Sequence, residues 1–201
     1  PYGGGLSTGI QSTIRLMLEL TRYGHADVAY GLINRTEMPS WGYMVEHGAT
    51  TIWERWDGWA DGRGFQNPGM NSFNHYAIGA VGEWMWRVIA GINPDESAPG
   101  YRHVILRPIP GGGLSWAKAS YDSIRGRIAS GWSIEPQGLR ATVSLPPGVS
   151  ATIELPAPDH ATLTESGQAL SASSGILRVT RDWNTVNIEV ESGDYEFRVS
   201  R

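Results

Sequence analysis

The chain has 201 residues, of which 40% are hydrophobic and 18% charged, with no cysteine and a formal net charge of −4. The charged share lies below the usual share of about 25%, which indicates a well-packed globular protein. The lack of cysteine excludes disulfides, thiolate metal sites and a cysteine nucleophile. Because basic residues do not cluster, neither nucleic acid nor an anionic membrane surface is an expected partner. No apolar run is long enough to span a bilayer.

Three short helices are predicted near the start of the chain. Residues 8–11 have the form of a capping box, and the apolar residues after it keep helical spacing until Gly24. A second helix is predicted over 26–34. A third begins at Pro39 and is stopped by Gly48.

A long loop and a long helix are predicted next. Residues 57–71 are polar and rich in glycine, and loops of that length inside compact domains are usually functional or disordered. The strongest helical pattern covers 72–90, where apolar residues recur at steps of three or four. Gly79 and Gly82 cost that helix about 1 kcal/mol each relative to alanine, so we expect a neighbouring helix or a ligand to approach the backbone there.

From about Gly100 the period changes to two, as in strands. Leu139–Leu145 alternates apolar and polar residues without exception, and turn residues separate several such runs. This pattern predicts an antiparallel β-sandwich over 100–201, after a helical domain over 1–95. The fold class is therefore α+β in two parts. Three single tryptophans of this half are predicted to lie in its core: Trp116, Trp132 and Trp183.

The segment Gly48–Trp59, GATTIWERWDGW, carries the most suggestive chemistry. It places Glu54 between Trp53 and Trp56. A carboxylate among aromatic rings suits glycosidic-bond chemistry, because an indole face packs well on the C–H face of a sugar. Two other interpretations stay open: the rings fill the core, or the carboxylate pairs with Arg55 or another arginine at the surface.

A glycosidase needs a second carboxyl group on the other side of the scissile bond. Four candidates occur in this half, and none stands out: Glu46, Asp57, Asp61 and Glu83. His75, at the predicted start of the long helix, could be a neutral ring that both donates and accepts hydrogen bonds, as sugar hydroxyls require. His47 is a candidate for the same role. For both residues the alternative is a histidine whose ring is hydrogen-bonded only to neighbouring residues of the fold. No metal or cofactor motif occurs, so no cofactor is expected.

Together these motifs resemble the C-terminal part of bacterial α-L-rhamnosidases of glycoside hydrolase family 78. The resemblance runs from about Leu6 to Arg127 and is carried by three segments: TEMPSWGYMVEHGATTIWERWDGW, MNSFNHYAIGAVGEWMWRVIAGINPDE and PGYRHVILRPIPGGGLSWAKASYDSIRGRI. Residues 128–201 fit that family's closing β-domain in kind. The resemblance implies the C-terminal helices of an (α/α)₆ barrel followed by a β-sandwich.

The resemblance also implies a reaction, the inverting hydrolysis of terminal α-L-rhamnose from a glycoside. In that scheme Glu54 matches the general base that activates water, and His75 matches a residue that contacts bound rhamnose. Trp53 and Trp56 are expected to shape the pocket. The family's general acid comes from helices upstream of Pro1, so we expect this chain alone to be nearly inactive.

Two alternatives to a rhamnosidase remain open at this stage. One is a non-catalytic carbohydrate-binding or scaffold protein, and the other is a different (α/α)-barrel enzyme that acts on another deoxy sugar or a uronide. We expect the chain to be a piece of a longer protein or to associate with further copies, since its helices would otherwise expose apolar stripes. The sequence does not fix a cellular compartment.

Overall fold

The computed structural model describes residues 5–67, 69–170 and 175–200. The chain forms two compact units, Pro1–Trp84 and Met85–Arg201. Among the described residues, no helix is both long and apolar enough to cross a membrane.

The first unit begins with three helices: α1 (Ile10–Arg22), α2 (Ala26–Ile33) and α3 (Trp41–Glu46). Gly24 and Gly48 follow α1 and α3 with positive φ angles of 83° and 77°, which glycine adopts without steric cost. The predicted capping box is wrong. Gly9 is the N-cap of α1 and makes no side-chain cap bond, because the Thr8 hydroxyl instead contacts the Thr13 hydroxyl at 2.9 Å.

The rest of this unit contains a small hairpin and two single-turn helices: β1 (Trp59–Ala60), β2 (Gly64–Phe65), α4 (Tyr76–Gly79) and α5 (Val81–Trp84). The helix predicted over 72–90 is confirmed from Tyr76 to Ile89, where it is divided into three short helical segments, and is wrong for 72–75. Its first residues are extended, since His75 has φ −122° and ψ 126° and is the N-cap of α4. Gly79 and Gly82 lower the helix propensity of the residues after His75.

Trp84 anchors the core of the first unit. It is fully buried, and its indole Nε1–H donates to the Thr21 hydroxyl oxygen of α1 at 2.8 Å. Tyr30 of α2 meets the same ring edge-on at 5.1 Å, and burial raises the pKa of the Tyr30 hydroxyl to about 12. One tryptophan thus joins α1, α2 and α5.

The second unit begins with a π-helical turn, Met85–Ile89, and continues as strands. Their bounds are β3 (Ile92–Pro94), β4 (His103–Leu106), β5 (Trp116–Ser123), β6 (Gly126–Glu135), β7 (Gly138–Leu145), β8 (Ser150–Pro156), β9 (Thr162–Glu165), β10 (Gln168–Ala169), β11 (Ile176–Asp182), β12 (Thr185–Val190) and β13 (Gly193–Ser200). They form a six-stranded sheet in the order β10-β9-β13-β7-β6-β5 and a five-stranded sheet in the order β11-β12-β8-β4-β3. All described strand pairs are antiparallel except β4–β8.

Alternation along the strands builds one core between these two sheets. On β7, Leu139, Ala141, Val143 and Leu145 are buried, and the residues between them are only partly so. The same cluster contains Phe197 of β13, which is completely buried. A polar–apolar period of two therefore produces the sandwich that it predicts.

The three tryptophans of this unit differ from the prediction. Trp132 is buried as expected, but Trp116 is 60% exposed and Trp183 is 78% exposed. Trp183 follows the end of β11 and precedes β12, where the chain turns. Trp116 belongs to β5, an edge strand of the six-stranded sheet, and lies on the strand face opposite to its inward-packed neighbour Ala117.

Candidate active site

Two extended segments of the first unit pair with each other and carry the predicted site residues. The backbone N–H of Glu54 donates to the carbonyl of Ser72 at 2.9 Å, and the N–H of His75 donates to the carbonyl of Ile52 at 2.9 Å. This pairing joins the TIWE segment to the SFNH segment, on either side of the predicted loop. It also explains why residues 72–75 are not helical.

The Glu54 carboxylate is also hydrogen-bonded to Ser72. Its Oε2 accepts a hydrogen bond from the backbone N–H of Ser72 at 2.9 Å, whereas Oε1 makes no hydrogen bond to any described residue. The alternative of a Glu54–Arg55 ion pair is wrong, because the Arg55 guanidinium lies 3.4 Å from Asp57 Oδ1. Glu54 therefore has one carboxylate oxygen fixed and the other available.

Glu54 lines a cleft of about 750 Å³ within the first unit. Trp56 and Asp57 line it too, from the same motif. Much of its wall is apolar and comes from segments that sequence reasoning did not connect with the motif: Leu6, Ile10, Met38, Met70 and Ile78. These residues lie at least 16 positions from Glu54 along the chain. Met38, Met70 and Ile78 belong to segments that carry the family resemblance, but nothing in the sequence marks them as part of a cleft wall.

The two tryptophans that flank Glu54 have different surroundings. Trp56 faces the cleft, and its indole N–H donates to the carbonyl of Thr8 at 3.0 Å. Its ring also meets Trp41 edge-on at 5.1 Å. Trp53 is 4% exposed, packs on Phe73 at 5.7 Å and is not among the described residues that line the cleft. Trp53 is therefore core, whereas Trp56 is available to a ligand.

His75 is oriented by the start of α4. Its Nδ1 accepts a hydrogen bond from the backbone N–H of Ala77 at 3.2 Å, and its ring stacks on Tyr76 at 5.1 Å. Because Nδ1 accepts, the ring proton of the neutral form is on Nε2, which can then donate. His75 is not among the described residues that line the cleft with Glu54.

Asp57 is the candidate second carboxylate that shares the cleft with Glu54, but it is already bound. Its Oδ2 accepts from Arg63 at 3.0 Å and from Gln66 at 2.7 Å. Partial burial alone would raise the pKa of Asp57. The hydrogen bonds from Arg63 and Gln66, with the charges of Arg55 and Arg63, nevertheless hold it below its ordinary value. Asp57 is therefore a carboxylate at neutral pH and not a proton donor.

The other acidic candidates do not line this cleft. Glu46 and Glu83 are exposed, and the Asp61 side chain, 88% exposed, lies 3.7 Å from the Nε2 of His47. His47 itself is held within the fold, since its Nδ1–H donates to the carbonyl of Tyr43 at 2.7 Å. No cluster of three or more potential metal ligands occurs among the described residues.

Comparison with known proteins identifies the family. Residues 2–89 match the family model described as the bacterial alpha-L-rhamnosidase 6 hairpin glycosidase domain, and residues 91–170 match the bacterial alpha-L-rhamnosidase C-terminal domain. The chain belongs to the bacterial α-L-rhamnosidase family. An α-L-rhamnosidase of Streptomyces avermitilis is 44% identical over 196 residues, and one of Formosa agariphila is 36% identical over 193 residues. Each alignment covers 96% of this chain.

Solved α-L-rhamnosidases share this fold. The crystal structure of the Streptomyces avermitilis enzyme complexed with L-rhamnose superposes with a TM-score of 0.85 at 42% identity over 96% of this chain. The α-L-rhamnosidase of Dictyoglumus thermophilum also gives 0.85, at 33% identity over 98% of this chain. The predicted fold class, the final helices of a rhamnosidase barrel followed by a β-sandwich, is confirmed.

The chain spans about a fifth of the length of these rhamnosidases. It covers 18% of the Streptomyces avermitilis protein and 21% of the Formosa agariphila protein. The matched region is a C-terminal part of the family's proteins. The cleft around Glu54 therefore lies in a region that corresponds to about a fifth of these rhamnosidases.

Proposed function

We propose that this chain supplies the general base for inverting hydrolysis of terminal α-L-rhamnosides, and that Glu54 is that base. The observation that carries the proposal is the state of its carboxylate. Oε2 is fixed by the Ser72 N–H at 2.9 Å, Oε1 has no partner among the described residues, and the group lines a cleft. A general base needs this combination of fixed orientation and an open lone pair.

The reaction assigns one proton transfer to each of two carboxyl groups. Glu54 accepts a proton from water while the water oxygen attacks the anomeric carbon, on the face opposite the leaving group. A general acid donates a proton to the glycosidic oxygen as the bond to the anomeric carbon breaks. In inverting enzymes the two carboxyl groups lie roughly 6.5–9.5 Å apart, which leaves room for the water.

The general acid comes from outside this chain. Asp57 lines the same cleft, but it is ionised and bound to Arg63 and Gln66, so it has no proton to donate at neutral pH. Loss of general acid catalysis alone costs roughly 10²–10⁴-fold in rate. The isolated chain is accordingly nearly inactive, although its family is enzymatic.

The neighbouring side chains have distinct parts in binding the sugar. Trp56 offers its ring at the cleft to a C–H face of rhamnose, and its N–H stays bound to Thr8. His75 does not line the cleft with Glu54. Its role as a donor from Nε2 to a sugar hydroxyl rests on the family resemblance and on its Nδ1 being occupied as an acceptor. Trp53 acts beneath the site, where its packing on Phe73 supports the segment that carries Glu54.

A chimaera tests the role of Glu54 with the rest of the rhamnosidase present. This chain replaces the matching C-terminal fifth of the Streptomyces avermitilis enzyme, and hydrolysis of a chromogenic α-L-rhamnoside is measured. We expect an active chimaera, a Glu54→Gln variant reduced by about 10²–10⁴-fold in kcat, and an unchanged Glu46→Gln control, because Glu46 is exposed. Proton NMR of the first-formed sugar should show β-L-rhamnose if the reaction inverts configuration.

Two further measurements separate the parts of the proposal. A Glu54→Gln chimaera that keeps its kcat would remove Glu54 from the mechanism, and a first product with the α configuration would exclude inversion. The isolated 201-residue chain should show no turnover above background. Turnover that disappears in the isolated Glu54→Gln variant would instead place the acid within this chain.

A further inference from the structure

The outward face of the six-stranded sheet has the composition of a ligand site. We call this surface the outer face, and its central residues are Lys118, Ser120, Ala129, Gly131, Thr142, Ser144 and Glu196. The register places Lys118, Gly131, Thr142 and Glu196 side by side across four strands. All of them lie on the second unit, so this surface does not depend on the Glu54 cleft.

A trough of about 800 Å³ runs over this face. Its floor on β6 is low because Ala129 and Gly131 have little or no side chain. A Cβ atom at Gly131 would lie 3.0 Å from the Thr142 hydroxyl oxygen and 3.3 Å from the Cβ of Lys118, so glycine keeps the floor open. Thr142 and Ser144 add hydroxyl groups, which can donate and accept hydrogen bonds.

Two exposed tryptophans lie near Lys118: Trp86, from the π-helical turn, lines the trough, and Trp116 lies two residues before Lys118 on the same face of β5. Trp86 is 47% exposed, and its indole N–H donates to the carbonyl of Ser120 at 3.4 Å. Trp116 is 60% exposed, and the Lys118 ammonium lies 5.8 Å from its ring centroid. From Trp116 to Ser120 the strand advances roughly 13 Å at about 3.3 Å per residue. That length suits several linked sugar rings better than one.

Glu196, which lines the opposite side of the trough, belongs to a polar network that extends beyond it. Glu196 accepts from Arg140 at 2.5 Å and from Arg198 at 2.9 Å, and Arg198 also reaches Glu135 at 2.8 Å. The Arg140 hydrogen bond, followed by that of Arg198, holds the pKa of Glu196 below its ordinary value. Three cations, Lys118, Arg140 and Arg198, are balanced on this face by three carboxylates, Glu135, Asp194 and Glu196, so it favours a ligand without net charge.

We propose that the outer face binds a neutral oligosaccharide. Exposed indole rings meet the C–H faces of sugars, and the hydroxyl, ammonium and carboxylate groups between them satisfy sugar hydroxyls. A protein partner would find a half-polar surface with two isolated rings, whereas interface centres are depleted in charge. The site would hold a glycan chain on the same polypeptide that carries Glu54.

The test titrates the 201-residue chain with neutral cello-, xylo-, manno- and rhamno-oligosaccharides, with binding followed by calorimetry and by the indole N–H signals in NMR. We expect saturable binding of at least one of these glycans, with shifts for Trp86 and Trp116. Trp116→Ala should weaken that binding by about tenfold or more, as truncation of an aromatic anchor does. Trp183→Ala is the matched control, because Trp183 is 78% exposed and outside this face.

Thr142→Arg provides a second variant, since a long side chain there would fill the trough without removing an aromatic ring. Far-UV circular dichroism checks that each variant is folded. Glu54→Gln should leave the shifts of the Trp86 and Trp116 indole N–H signals unchanged, because both tryptophans belong to the second unit and Glu54 to the first. The proposal is overturned if none of the four glycan classes binds, if binding survives both Trp116→Ala and Thr142→Arg, or if Trp183→Ala weakens it equally.

Discussion

Replacing Asp57 with asparagine distinguishes two roles for the carboxylate that shares the cleft with Glu54. The asparagine side chain would keep the shape and an acceptor oxygen but would remove the negative charge. Arg55 and Arg63 would then lose their common partner, which they now approach at 3.4 Å and 3.0 Å. If the role is structural, stability changes and catalysis does not.

The loss of folding free energy expected from Asp57→Asn is small. The Asp57 side chain is 37% exposed and its partners 50% and 40% exposed, so solvent screens both ion pairs. Exposed pairs contribute about 0.2–1 kcal/mol each, which gives about 1 kcal/mol for Asp57→Asn. A catalytic acid would show a very different effect, because its loss reduces the rate by roughly 10²–10⁴-fold. That range corresponds to about 3–5 kcal/mol in activation free energy.

The effect of Asp57 on stability depends on pH with a defined sign. Its folded-state pKa is lowered, although burial opposes the shift, by the hydrogen bonds and charges of its arginine and glutamine partners. Its contribution is therefore fully present above the unfolded-state pKa of about 3.9 and is lost as pH falls through the folded-state pKa. The stability difference between the wild type and Asp57→Asn should be constant from about pH 5 upward and vanish at strongly acidic pH.

Two assays decide between these roles. Urea unfolding of the isolated chain at several pH values gives the stability difference, and rhamnoside hydrolysis by the chimaera gives kcat. We expect Asp57→Asn to retain kcat within about threefold, far less than the loss of a general acid. A loss of a hundredfold or more with normal folding would refute the structural assignment and make Asp57 the missing acid.

Three further substitutions probe the folded units. Thr21→Val should cost about 1–3 kcal/mol in urea unfolding, because the buried Trp84 N–H loses its acceptor, and the cost should largely disappear in a Trp84→Phe background. Gly91→Ala should lower Tm in calorimetry, since φ is +84° and the added Cβ would collide with Pro108; an unchanged Tm would contradict this geometry. Phe197→Ala should destabilise the second unit by about 3–5 kcal/mol, and a cost below 1 kcal/mol would show that the core is not packed as described.

The sandwich was predictable because strand alternation reports directly which side chains are buried. The same alternation could also have predicted that Trp116 is exposed. The prediction instead followed residue type, because tryptophan is usually buried. Trp116 has the same parity as Lys118 and Ser120, whereas Ala117 and Ala119 pack against the core. An edge strand can bury its small residues and expose a tryptophan, so parity is a better guide than residue type.

The start of the long helix was predicted wrongly for a different reason. Helical spacing over 72–90 is a local signal, and at its start it competes with a non-local pairing. Ser72 accepts from the Glu54 N–H and His75 donates to Ile52, so these residues are held extended. Hydrogen bonds between segments so far apart have no signature in hydrophobic periodicity. The tertiary pairing overrides the helical pattern up to His75, and the helix begins at the next residue.

That same pairing explains how Glu54 is oriented. The carboxylate and the backbone N–H of Glu54 both bond to Ser72, one to its N–H and one to its carbonyl, each at 2.9 Å. Residues 57–71 connect the two paired segments. The orientation of Glu54 therefore depends more on the pairing at their ends than on how many residues lie between. Closing a longer loop costs little, about 0.6 kcal/mol for each doubling of length. Substitutions near the middle of residues 57–71 should therefore leave Glu54 in place. A substitution that disturbs the hydrogen bonds of Ser72 should instead free the Glu54 side chain.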